Sequence, residues 1–146
     1  MEKRYTITCT EEQLRLISQA VEDWHRFLAG ECELLHATSF VEPSSNMHEV
    51  QEILNNRVRP YIVPELATYY GSAYKWNGGN CPNEWQRKAI AMSYGIYRQI
   101  LHFFALKRAK EDNKLLDWNT YTSATLQCEE QGPLIQIKEH DNKRKR

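Results

Sequence analysis

The chain has 146 residues, enough for one domain that buries roughly 70% of the surface its unfolded chain exposes, without needing a metal or disulfide staple. Nineteen basic and nineteen acidic residues leave zero formal charge, so no global field draws the chain to DNA, RNA or an anionic membrane, and an anionic partner has to be held locally. Cys9, Cys32, Cys81 and Cys128 make no CxxC pair, no apolar run approaches the ~20 residues of a membrane helix, and no signal-peptide apolar region follows Met1; a cytoplasmic protein with reduced thiols is expected.

The first element expected is a strand. Arg4 to Cys9 alternates Tyr5, Ile7 and Cys9 with Thr6 and Thr8, the period-two pattern of a half-buried strand. Thr10 with Gln13 three residues later fits a capping box. Leu14, Ile17, Val21, Trp24 and Leu28 then recur at helical spacing, and the pattern predicts a first helix reaching about His36. Thr38 to Asn46 is a turn-rich break, with Asn46 placed to cap a shorter second helix marked by Val50, Ile53, Leu54 and Val58. Pro60 and Pro64 are expected to stop regular structure.

Pro82 and Asn83 introduce a third helix, with Gln86 spaced to complete a capping box. Ile90, Tyr94, Tyr97, Leu101 and Phe104 form one row; Ala89, Ser93, Ile96, Ile100 and Phe103 form a second. So wide an apolar surface in so short a chain predicts burial between protomers, hence a homo-oligomer. Beyond a charged exit, "WNTYTSATLQC" and "PLIQIKEH" read as a C-terminal hairpin. The expected fold is α+β: a small antiparallel sheet, from the N-terminal strand and the C-terminal hairpin, covered by two long helices and one shorter helix. Residues 1–137 form a single domain in this reading, and residues 138–146 a basic, disordered tail.

No GxSxG, Walker, HExxH or GxGxxG motif occurs, so no catalytic residue is assigned. Cys32 and His36, four apart, lack a second ligand pair, which leaves no metal and no cofactor in the expectation. Gly78 and Gly79 between asparagines read as a turn. The candidate binding residues lie at the opening of the third helix and along it. Tyr74 and Trp76 offer faces on which a base stacks, and Asn77 and Asn83 offer amides that read base or ribose edges. Tyr94, Arg98 and His102 are spaced by four and share one helix face, beside Tyr97; guanidinium and imidazole together suit a pyrophosphate. Arg57 and Arg59 form a second candidate anion site. The alternative reading gives these residues structural roles: satisfied tyrosines, a buried neutral histidine and an ion-paired arginine.

The stretches "YTITCTEEQLRLISQAVEDW" and "AMSYGIYRQILHFF" together resemble a family of small phage proteins that includes the Thoeris anti-defence sponges. The resemblance spans about residues 4–110. It implies a non-enzymatic protein that binds and sequesters a cyclic nucleotide immune signal, a cyclic ADP-ribose isomer such as glycocyclic ADP-ribose or a cyclic oligonucleotide, without cleaving it. It also implies a dimer that groups further into a trimer of dimers, working in the cytoplasm of the infected bacterial host. Tyr94, Tyr97 and His102 match the family's long helix, Tyr74 falls where it stacks a base, and Asn83 falls near a polar contact. Gly95 and Leu101 stand where the family has an acid and an arginine, and Arg98 lies close to the latter. The alternative function is an oligomeric phage or prophage interaction module with no nucleotide ligand. A nucleotide hydrolase is a third reading.

Overall fold

The computed structural model describes residues 2–32, 35–36, 46–63, 83–114 and 131–140. Its elements are α1 (Glu11–Leu28), α2 (Asn46–Ile53), a π-helical turn (Leu54–Val58), α3 (Arg59–Ile62) and α4 (Glu84–Asp112). None of the described residues is in a β-strand and most of them are helical, which overturns the expected α+β class. Residues 2–10 are exposed throughout, and Leu134 to His140 is also irregular. The "WNTYTSATLQC" half of the expected hairpin lies outside the described residues. The physical reason is that alternation prepares a segment for one face of a sheet, but a strand exists only when another strand accepts its backbone hydrogen bonds. Neither patterned segment meets such a partner among the described residues.

α1 begins where the sequence places it. The Thr10 hydroxyl accepts from Gln13 N at 3.2 Å, while Gln13 Oε1 accepts from Thr10 N at 2.8 Å, a complete capping box. Its end comes eight residues before the expected His36. Gly30 adopts φ +79°, Gly30 N donates to Phe27 O at 3.1 Å and Glu31 N donates to Arg26 O at 2.8 Å, the paired bonds of a Schellman C-cap. An ion pair at 2.8 Å between Arg26 and Glu31 fastens this corner. Gly30 is also where Val63 packs, since a Cβ there would lie 2.6 Å from Val63 Cγ2.

Helical backbone continues through Pro60, where a stop was expected. A proline lacks the N–H that would donate to the fourth residue before it, and its ring crowds that residue's carbonyl. The chain answers with the wider π turn immediately before Pro60, in which Arg59 N reaches back to Leu54 O. α3 then ends at Ile62, and Val63 turns into the core.

α4 starts at Asn83, whose Oδ1 accepts from Gln86 N at 3.0 Å, and runs 29 residues to a left-handed cap at Asn113, a rod of about 44 Å. α1 lies antiparallel along it. Glu11 meets Lys107, the Arg15 guanidinium sits 4.0 Å over the Phe104 ring, and His25 meets Ile90. The core joins Leu28, Ala29, Val63 and Ile90, flanked by Phe27, Ile62 and Ala89. The two rows of α4 are therefore largely covered within one chain: Ile90, Tyr97, Ile100 and Phe104 are all buried. Among the described residues no helix is long and apolar enough to cross a membrane.

The chain after Gly132 forms a strap along another side of α4. Gln131 packs on Gly95, and Pro133, Leu134 and Ile135 enclose with Met92 and Ile96 a small cleft of about 90 Å³. Farther along, Glu139 reaches Lys107 at 2.8 Å. Gly95 and Lys107 are about 18 Å apart along the helix axis, so the strap follows α4 in α4's own direction.

Candidate functional site

Four expected site residues lie together on the central turns of α4. Tyr94, Arg98 and His102 are half-buried, while Tyr97 is buried. The rings of Tyr94 and Tyr97 meet edge to face at 5.7 Å, and both contact the His25 ring, at 5.6 and 5.4 Å. His25 Nδ1 donates to Ile90 O at 2.9 Å; a carbonyl only accepts, so the proton sits on Nδ1 and the neutral tautomer is fixed. Burial lowers the His25 pKa from 6.5 to about 4, more than the Ile90 hydrogen bond raises it. Burial likewise pushes the Tyr97 hydroxyl well above its ordinary value. Tyr97 is thus a neutral core residue at every physiological pH.

Beside Tyr97 lies a charged cluster that spacing did not single out. Arg26 bonds Glu22 at 2.8 Å and Glu31 at 2.8 Å, and His36 Nε2 meets the other Glu22 oxygen at 2.9 Å. Burial alone raises the Glu22 carboxyl, but the hydrogen bonds from His36 and Arg26 outweigh it, and its pKa falls below the ordinary value. Burial lowers the Arg26 pKa and its Glu22 bond raises it, leaving it above the ordinary value. His36 also has its backbone N–H on Asp23 Oδ1, at 2.6 Å. Cys32 and His36 sit beyond the end of α1 and share no helix face, and among the described residues no group of three His, Cys, Asp or Glu is placed to hold a metal.

The residues expected at the helix opening separate from those on its middle. Asn83 caps the first turn, about 22 Å along the axis from Arg98. Tyr74, Trp76 and Asn77 lie outside the described residues. Near Asn83 the structure assembles an aromatic group whose spatial grouping the sequence did not show. Trp24 stacks with Phe27 at 6.3 Å and meets Trp85 edge-on at 6.2 Å, and the two tryptophans are 45% and 62% exposed. Trp24 reads in sequence as part of the apolar stripe of α1; its pairing with Trp85 across 61 positions has no local signal. Arg57 is exposed on the π turn, and the Arg59 stem packs toward Gly30, with Cγ 3.3 Å from the position a Cβ would take there. The second basic pair is thereby split between solvent and a structural corner.

No protein family, no curated protein and no solved structure matches the chain.

Proposed function

We propose that the protein is a non-enzymatic, homo-oligomeric binder that sequesters a cyclic nucleotide signal intact, as in the phage anti-defence proteins whose pattern it resembles, inside an infected bacterial cell. The observation that carries this reading is the half-buried row of Tyr94, Arg98 and His102 on one face of α4. A guanidinium and an imidazole one turn apart suit a pyrophosphate, and a tyrosine ring one turn before them suits a base or ribose. The exposed Trp24 of α1 and Trp85 of α4 would supply a second stacking surface near the start of α4. Asn83 and Arg98 are about 22 Å apart, so they touch one small nucleotide only if the lip of one copy closes over the helix face of another.

The test is a thermal-shift panel of cyclic dinucleotides, cyclic trinucleotides and cyclic ADP-ribose isomers, followed by calorimetry on Arg98→Ala. A ligand at a hundred times its Kd adds about 2.7 kcal/mol to stability, and Arg98→Ala should weaken its binding at least tenfold with helical circular dichroism unchanged. Mass spectrometry of the small molecule released by denaturation should find it uncleaved. If no nucleotide stabilises the chain, the reading fails and the interaction module takes its place. The exposed apolar side chains of Tyr5, Ile7, Trp24 and Trp85 favour that second reading.

A further inference from the structure

Two segments of this chain carry strand patterning and have no partner strand among the described residues. Tyr5 and Ile7 stand 84% and 82% exposed in the N-terminal segment, and Leu134 and Ile135 are partly exposed on the strap. No backbone hydrogen bond joins residues 2–9 or 132–140 to another part of the described chain. A row of open amides and carbonyls beside exposed Tyr and Ile side chains is a template for another strand.

Geometry argues against these two segments satisfying each other within one chain. Glu11, at the end of the N-terminal segment, and Glu139, near the end of the strap, share the Lys107 ammonium at 3.2 and 2.8 Å. Both segments therefore run toward the same point, and pairing them in place would give an isolated parallel couple, the weaker ladder and one that occurs inside larger covered sheets. Antiparallel pairing has a register in which the patterns agree. Tyr5 then faces Ile137, Ile7 faces Ile135, Thr6 faces Gln136 and Lys3 faces Glu139, at the cost of Arg4 opposite Lys138. A slip of one residue sets Ile7 against Gln136 and loses the match. That register places residue 3 beside residue 139, whereas within one chain it is Glu11 that lies there. A second copy removes the conflict.

We propose that the N-terminal segment, Arg4 to Cys9, pairs antiparallel with the strap, Leu134 to Glu139, of a second copy of this chain, each copy giving one strand and receiving one. The contact is two-fold and self-complementary. The incoming Tyr5 and Ile7 share a face with Ile135, whose floor is Ile96 and the half-exposed Met92 of α4. The pairing specifies the oligomeric part of the proposed function and rests on that part alone, so its test uses no nucleotide and its failure leaves standing the ligand reading of the Tyr94, Arg98 and His102 row, which lies within one copy.

The experiment mixes two variants in a Cys9→Ser background, one carrying Ile7→Cys and the other Ile135→Cys, under mild oxidation. A disulfide-linked heterodimer in excess of either homodimer, mapped by mass spectrometry to positions 7 and 135, is the expected result. No heterodimer, or an Ile7→Cys homodimer in its place, overturns the proposal. In parallel, sedimentation should show a concentration-dependent dimer for the native chain. Tyr5→Glu with Ile7→Glu alters only exposed side chains and should raise the dimer Kd roughly tenfold or more, with the helical signal unchanged. A native chain that is monomeric at every concentration, or a double variant that dimerises equally well, also overturns it.

Discussion

Gln86 shows how a single side chain can be read correctly in type and wrongly in partner. Its distance from Asn83 suggested that its amide would fold back to close a capping box. Instead its Nε2 donates to Leu28 O at 2.7 Å and to Ile62 O at 3.1 Å, residues 58 and 24 positions away. Those carbonyls belong to the last turns of α1 and α3, which have no helical donors of their own. One buried amide thus ties three helix ends together. Gln86→Ala should cost about 1–3 kcal/mol, because the carbonyls remain buried and lose their donors. Urea unfolding gives the number, and an unchanged midpoint would show that the carbonyls find other partners. The N-caps at Thr10 and Asn83 were legible because a cap is a bond between residues three apart. The Gln86 junction was not, because its distances appear only after α1 and α3 have packed.

Among the elements, helix starts were easier to read than helix ends. The apolar period of α1 runs on past Leu28 in the sequence, yet Gly30 closes the helix, since only glycine takes a left-handed φ there and leaves room for Val63. Pro60 failed as a stop signal for a related reason: a π turn absorbs one proline when packing favours continued helix. The strap on α4 explains Gly95, an otherwise costly residue in the middle of a long helix. A Cβ at that position would lie 3.1 Å from Gln131 Cγ, closer than the two settle comfortably. Gly95→Ala should therefore stabilise little in the native chain. In a Gln131→Ala background the same change should add about 0.5–1 kcal/mol, the ordinary helix preference of alanine over glycine. A double-mutant cycle by urea unfolding reads the coupling, and equal effects in both backgrounds would separate Gly95 from the strap.

For the whole molecule, proton linkage follows from the α1–α4 interface. Folded His25 takes a proton only near pH 4, while in the unfolded chain it does so near 6.5. Between these values the unfolded chain holds the extra proton, so the His25 contribution is fully present above about pH 6.5 and is lost as pH falls toward 4. The effect is on the order of 3 kcal/mol. Glu22, with its pKa lowered, acts in the same direction at lower pH. The urea midpoint should drop between pH 7 and pH 5, and His25→Gln should flatten that dependence even though it weakens the core. The histidine lay within the apolar stripe of α1, and only its packing against Tyr94, Tyr97 and the Ile90 carbonyl reveals it as an acid-sensitive group. The sheet was misread at this scale too, because alternation fixes the faces of a strand but cannot say whether its partner lies in the same molecule. For the candidate site, spacing placed Tyr94, Arg98 and His102 together on α4. The same helical spacing already sets Asn83 about 22 Å from Arg98; what it could not show is the packing of Tyr94 and Tyr97 against His25 of α1.

The two fastenings of the strap differ in strength. At one end Gln131 is seated against bare helix backbone at Gly95; at the other, Glu139 holds an ammonium through an exposed ion pair that salt screens. The Glu139 end is therefore expected to open more readily than the Gln131 end. Residues 134–139 should then leave α4 more often than Gln131 leaves Gly95.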